Sequence, residues 1–224
     1  MQFFYHKEAG AATLCIKDEF YAYLFKARRH RVGELIDARN LADSLRYTYA
    51  IESIGKKEGL LSLREQTMLP VIPPRESVLG WSLIEARQIE KMLPMLNEIG
   101  ITTLALVMSD YSQHSIRIDK ERMERILIHS CEQSGRSKLP EIVLFSKGIQ
   151  EYFECYPSSA VMDFGGKPID TINKETTRAL LIGPEGGFSQ EERKRFGHRE
   201  IFSPQHNLIL RSETAAIIAA LALI

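Results

Sequence analysis

Three stretches of the chain carry residues suited to holding a ligand through backbone contacts. Leu180-Leu181-Ile182-Gly183-Pro184-Glu185-Gly186-Gly187-Phe188-Ser189 runs from an apolar segment into a glycine turn, and Ser189 with Glu192 has the spacing of a capping box that opens a helix. A strand, a glycine turn and a capped helix bring bare N–H groups up to a ligand, although glycine turns also close ordinary strand–helix connections. Gly165-Gly166 follows a second apolar run, and a third loop precedes Leu210-Arg211-Ser212-Glu213-Thr214. Three such loops after neighbouring parallel strands can hold one flat ligand by its edges. Glu185 is the only ionisable side chain of the glycine turn before the helix.

Other chemistries lack their residues. No GxGxxG follows a strand, no GK[ST] follows the glycine turn, and neither HExxH nor GxSxG occurs. A nicotinamide or flavin Rossmann site, a P-loop, a zinc protease and a serine hydrolase are thereby disfavoured. Cys15, Cys131 and Cys155 are odd in number and far apart, which fits reduced thiols and argues against a structural metal. Lysine and arginine balance the acids at 29 each, so any contact with nucleic acid must come from a local patch. One such patch is Lys26-Ala27-Arg28-Arg29-His30-Arg31, either a phosphate contact or a solvated helix end. With 44% hydrophobic and 26% charged residues, no signal-peptide pattern and a terminal apolar run too short to span a bilayer, the expectation is a cytoplasmic protein with no membrane partner.

The elements that must position these residues fall into two groups. Residues 3–5, 12–16, 33–38, 45–51 and 60–63 read as short strands around a helix over 17–28, and Tyr47, Tyr49 and Ile51 recur at every second position of a half-buried strand. This is a small β-barrel over residues 1–68. Leu69-Pro70-Val71-Ile72-Pro73-Pro74-Arg75-Glu76 is a stiff linker over 69–76. Residues 77–224 then alternate strands (78–84, 102–108, 142–145, 160–164, 179–182, 207–210) with helices. Gly100 and Asp119 are expected helix caps, Pro94 is expected to kink its helix or shorten the first part of it, and Ser212 or Thr214 to cap the last helix. Such alternation predicts an α/β domain with a parallel sheet. The last helix is apolar all round and fits burial either in its own domain or against a second subunit.

The glycine turn, followed by Ile209-Leu210-Arg211-Ser212-Glu213-Thr214-Ala215, resembles the paired signature of the RsmE family. These are SPOUT-superfamily enzymes that use S-adenosylmethionine to methylate N3 of a uridine in bacterial 16S ribosomal RNA. Cys131-Glu132-Gln133-Ser134-Gly135-Arg136 with Pro140-Glu141-Ile142 resembles a further family motif, and Asn97-Glu98-Ile99-Gly100-Ile101 its ELGV helix end. The resemblance implies a trefoil-knotted SPOUT domain behind a PUA-like RNA-binding barrel, a homodimer, and small-subunit rRNA as partner. It implies a bent S-adenosylmethionine walled by Ile182, Gly183, Glu185, Gly186 and Gly187, by Leu208, Ile209, Leu210 and Ser212, and by Phe164 and Gly165.

Methyl transfer from a sulfonium asks chiefly for alignment, and loss of the uridine N3 proton asks for electrostatic help. Arg136 and Arg211 are the candidates for that help; Arg211 is equally suited to pairing with Glu213 or anchoring its loop. Lys26, Arg28, Arg29 and Arg31, with Arg136 and Lys138 of a Gly-Arg-Ser-Lys loop expected to be exposed, are the candidate RNA contacts. The chain departs from the family pattern at Met95, at Tyr111 of Ser109-Asp110-Tyr111, and at His206-Asn207-Leu208. Two other readings use the same residues: a non-catalytic ribosome-assembly protein, and a SPOUT enzyme with another RNA target.

Overall fold

A computed structural model describes residues 2–113, 116–205 and 208–224. The chain forms two compact units, one of residues 1–72 with 128–139, the other of 73–127 with 140–224. Residues 128–139, which the sequence places in the middle of the second domain, therefore cluster with the first.

In the first unit β1 (Phe4–Tyr5), β2 (Thr13–Lys17), β3 (Leu35–Arg39), β4 (Leu45–Ile54) and β5 (Glu58–Met68) make a sheet in the order β1-β3-β4-β5-β2. All its pairings are antiparallel except β1 with β3. The alternation in β4 does what its period of two requires: Tyr47, Tyr49 and Ile51 are buried in one cluster with Leu14, Ile16, Leu24 and Leu61. The Tyr49 hydroxyl donates to the Ala11 carbonyl at 2.8 Å and accepts from the Gly10 N–H at 2.9 Å, so a core ring closes with its polar end satisfied. The helix expected over 17–28 is shorter and wider: α1 (Asp18–Tyr21) runs straight into a π-helical turn, Ala22–Ala27.

The second unit has a six-stranded, wholly parallel sheet. Its strands are β6 (Val78–Ser82), β7 (Thr103–Val107), β8 (Glu141–Phe145), β9 (Ala160–Pro168), β10 (Ala179–Ile182) and β11 (Ile201–Ser203), in the order β11-β9-β10-β6-β7-β8. Strands this buried are near-continuous apolar runs, as in β10, whose residues are all buried. The chain starts at β6, steps outward through β7 and β8, then returns to build β9 and β10 on the other side of β6. Such a reversal opens a crevice beyond the carboxyl ends of the strands, where α/β proteins hold ligands.

The helices are α2 (Ala86–Ile99), α3 (Lys120–Ser134), α4 (Ile149–Cys155), α5 (Gln190–Arg195) and α6 (Ser212–Leu223). α2 runs unbroken through Pro94, its first part not shortened, and ends on Gly100 in the left-handed region at φ 112°. Asp119 Oδ1 accepts from the Arg122 N–H at 2.9 Å and caps α3 as its type and position predict. α6 packs on α2, β6 and β10, with Ala216, Ala219, Ala220 and Leu223 buried. Its N-cap is Arg211, with no side-chain cap; neither Ser212 nor Thr214 takes that part. The strand expected over 207–210 is absent at 208–210, and Asn207 lies outside the described residues; the sheet instead ends on β11, which the sequence pattern did not single out.

Candidate functional site

The glycine turn begins where β10 ends. Ser189 Oγ accepts from the Glu192 N–H at 3.1 Å and the Glu192 carboxylate accepts from the Ser189 N–H at 2.9 Å, so the capping box read from the sequence is formed and starts α5. Glu192 is buried, 1% exposed, and its other oxygen accepts from the Asp110 N–H at 3.0 Å. Burial pushes its carboxyl above the ordinary Glu value, against the opposing pull of those two N–H donors. Ser189 Oγ also meets Asp110 Oδ2. The turn between β10 and α5 is thus clamped to the loop that follows β7.

The second wall is a bulge. Ile201 pairs with Val161 but Phe202 pairs with Lys167, so residues 162–166 of β9 leave the ladder with β11, while Met162 still pairs with Ile182 of β10. Gly165-Gly166 lies inside β9, not after it as the sequence suggested. Gly165 sits at φ +72°, and a Cβ on Gly166 would fall 2.6 Å from the backbone of Ile201. Both positions require glycine, one for its conformation and one for the close approach of β11.

The third wall is set by a buried relay. Trp81, with no exposed surface, donates from Nε1 to Ser212 Oγ at 2.8 Å, and Ser212 Oγ donates to the Gly183 carbonyl at 3.2 Å. One hydroxyl thereby ties the start of α6 to the glycine turn and to β6.

Between these walls lies a cavity of about 460 Å³, lined by residues 162–165, 182–185, 187–188, 203–205 and 208–210 with Ser212 and Ala215. That is the size of a small-molecule site. Every residue expected to hold a cofactor lines it except Gly186, whose missing Cβ faces Tyr111 instead, 3.3 Å from that residue's Cβ. Its only ionisable lining residues, among those described, are Asp163 and Glu185. Asp163 accepts two hydrogen bonds from Arg193, at 2.6 Å from Nε and 3.1 Å from Nη2, and this carboxylate holds the guanidinium above the ordinary Arg value. The Glu185 carboxylate, exposed apolar side chains (Phe164 68%, Ile209 80%) and bare backbone suit a ligand with a flat ring and a positive charge.

Sequence reasoning missed Asp163 with its Arg193 partner and the contribution of Ser203, Pro204 and Gln205. The signal for the latter was Ile201-Phe202 ending on Ser203-Pro204, a strand too short to stand out against the longer apolar runs.

The candidate catalytic arginines are not brought together in the cavity. Arg211 is exposed at the N-terminus of α6, outside the lining, and makes no ion pair with Glu213 among the described residues. Arg136 belongs to the first unit, whereas the whole cavity lies in the second. The expectation of an exposed Gly-Arg-Ser-Lys loop fails at its arginine. Arg136 is 5% exposed, its Nε donates to the Lys138 carbonyl at 3.0 Å, and burial lowers its pKa. Ser137 beside it is fully buried and bonded to Val71, while Lys138 is exposed.

Also in the first unit, Lys26, Arg28, Arg29 and Arg31 are all exposed. The π-helical turn delivers Lys26 over the Tyr21 ring at 5.5 Å and Arg28 over the Tyr23 ring at 5.3 Å. Arg29 follows in the left-handed region at φ 61°, rare for a residue other than glycine. The neighbouring His30 pairs with Glu34 at 2.8 Å and leaves the four cations facing solvent.

Residues 72–224 match a family described as an RNA methyltransferase domain. Over 223 residues the chain is 40% identical to the ribosomal RNA small subunit methyltransferase E of Helicobacter pylori strain J99, covering 98% of both chains. It is 25% identical to the protein of that name from Aquifex aeolicus, over 97% of this chain and 96% of the other. A crystal structure of a ribosomal RNA small subunit methyltransferase E from Neisseria gonorrhoeae, bound to S-adenosyl methionine, superposes with a TM-score of 0.81 at 22% identity, covering 100% of this chain and 96% of that one. At that identity the likeness is one of fold.

Proposed function

Because the chain belongs to the RNA methyltransferase family, and within it to the ribosomal RNA small subunit methyltransferase E group, we propose that it is an S-adenosylmethionine-dependent enzyme that methylates N3 of a uridine in 16S rRNA of the small ribosomal subunit. The observation that carries this reading is the cavity beyond β9, β10 and β11, walled by the two glycine segments and the approach to α6. The residues present fit the cofactor: flat apolar surfaces and bare backbone for the adenosine, and for a cation the Glu185 carboxylate, the other acidic lining residue, Asp163, being paired with Arg193. When bound, the cofactor supplies an activated methyl group on a positively charged sulfur.

The chain's own contribution is positional. The Ser212 hydroxyl fixes the distance between two walls, the β9 bulge sets the third, and the Asp163–Arg193 pair ties the bulge to α5. Glu185 carries the remaining charge of the lining. Ordering of this kind is what a transfer with little covalent chemistry demands of a protein.

RNA is taken up in part by the first unit, through Lys26, Arg28, Arg29 and Arg31 and through the exposed Lys138 of a separate loop; four exposed cations on one short segment support this. Arg211, exposed at the start of α6, is the remaining candidate for electrostatic help to the base, and Arg136, being buried, serves the loop that carries Lys138. The same reading includes a PUA-like barrel over 1–68, a linker over 69–76, a knotted SPOUT domain over 77–224, a homodimer in which the apolar α6 is covered, and work in the cytoplasm. Among the described residues no helix is long and apolar enough to cross a membrane, and Leu221 of α6 is 56% exposed in the single chain.

Calorimetric titration with S-adenosylmethionine tests the cofactor site. Binding with one site per chain, weakened at least tenfold in Gly183→Val, is the expected result. No heat of binding to the folded protein would overturn the enzyme reading.

A further inference from the structure

The glycine turn has an outer side that the cofactor reading leaves unused. Glu185 and Gly187 line the cavity, but Gly186 between them does not; it faces Tyr111. A methyl group on Gly186 would stand 3.3 Å from Tyr111 Cβ and 3.4 Å from Cδ2, so the ring approaches this closely because the position is bare. The rest of Tyr111 is open, 59% exposed.

A large exposed aromatic is ordinary when it hangs on a loose loop. This loop is tied down on both sides of the ring. The Asp110 N–H donates to the buried Glu192, the Asp110 carboxylate accepts from Ser189, and the Ser109 N–H donates to Ser112 Oγ at 3.1 Å. Glu192 is 1% exposed, so a buried carboxylate is committed to holding the backbone next to the ring. Arg193 follows Glu192 in α5, and its Nη2 lies 3.6 Å from where a Cβ on Gly187 would be, one position along the turn from the glycine that Tyr111 covers. Its Nε and Nη2 are taken by Asp163, but Nη1 donates to nothing among the described residues, and the side chain is 42% exposed. A fixed aromatic face next to a cationic donor with free N–H groups is the chemistry that takes up a splayed-out nucleotide: the base stacks, and its acceptor oxygens meet the guanidinium.

Resting on the activity proposed above, we propose that Tyr111 and Arg193 form a second subsite on the rim of the cofactor cavity, which holds one unpaired nucleotide of the substrate RNA with its base stacked on the Tyr111 ring. The subsite lies wholly within the second unit, independent of the basic segment of the first. It also gives Tyr111, a departure from the family pattern, a task of its own.

The test compares Tyr111→Phe, Tyr111→Leu and Tyr111→Ala with the wild type. Small subunits from cells lacking the gene are the probe, and affinity for the subunits is measured separately from methyl transfer. Loss of one stacked base corresponds to about a 5- to 150-fold weaker Kd. Tyr111→Ala and Tyr111→Leu should show it, Tyr111→Phe should stay within about twofold, and all three should bind S-adenosylmethionine as the wild type does. Leucine keeps the packing on Gly186, so its loss of affinity isolates stacking from folding. Unchanged affinity in the alanine and leucine variants overturns the subsite, and so does an equal loss in phenylalanine or a parallel loss of cofactor binding. A wild type that binds subunits but transfers no methyl group contradicts the proposed activity, while the Kd comparison still decides the subsite.

Discussion

Ser212→Ala isolates the relay on which the cofactor cavity depends. The substitution leaves Trp81 Nε1 without an acceptor in a place where neither residue is open to water, at 0% and 4% exposure, and removes the 3.2 Å bond to the Gly183 carbonyl. A buried unsatisfied donor costs about 1–3 kcal/mol and an ordinary hydrogen bond about 0.5–1.5, so the variant should lose roughly 2–3 kcal/mol of stability. For a chain of this size that is a fall in Tm of roughly 5–10 °C. The glycine turn and the start of α6 are then no longer held at a fixed distance, and S-adenosylmethionine should bind several-fold more weakly. Trp81→Phe removes the donor, so in that background Ser212→Ala should cost about 1–2 kcal/mol less. Denaturant unfolding of the four proteins, with calorimetry on each, gives both numbers. A Ser212→Ala protein within about 0.5 kcal/mol of wild type, or an equal cost in both backgrounds, refutes the relay.

Gly166→Ala should destabilise the second unit by about 1–3 kcal/mol and displace the wall formed by Phe164 and Gly165, because the new methyl meets Ile201 backbone that cannot move aside; thermal melts with cofactor titration check it. For Glu192, a folded-state pKa raised by burial means a contribution to stability that is full below the unfolded value of 4.5 and is lost as pH rises through the folded one. Wild type measured against Glu192→Gln should therefore be at its relative best in acid and lose ground towards neutral pH, and a flat difference between the two pH curves would count against that assignment. Arg29→Gly removes one exposed cation and relieves a left-handed backbone. It should leave Tm unchanged or slightly higher, weaken subunit binding, reduce the salt dependence of that binding by about one unit of slope, and spare cofactor affinity.

What could be read from the sequence was what short-range rules govern. The capping box at Ser189 and Glu192, the Gly100 and Asp119 caps and the alternation in β4 depend on neighbours a few residues apart, and each is found where its spacing puts it. The glycine turn and the approach to α6 were visible because bare backbone near a ligand needs glycine. Features that depend on distant pairing were not. The bulge in β9 exists only against β11, and β11 is three residues long. Arg193 finds Asp163 thirty positions away. Arg136, read as an exposed cation from its Gly-Arg-Ser-Lys setting, is buried because residues 128–139 cluster with the first unit, a tertiary fact that local composition does not carry.

Nucleoside mass spectrometry of 16S rRNA tests the central claim most directly. Small subunits from cells lacking the gene are incubated with the purified protein and S-adenosylmethionine carrying a heavy methyl group. The account predicts one labelled 3-methyluridine per subunit, formed by the wild type and lost in Gly183→Val. Absence of labelled 3-methyluridine with a protein shown to bind the cofactor, or the label on a different nucleoside, would contradict it.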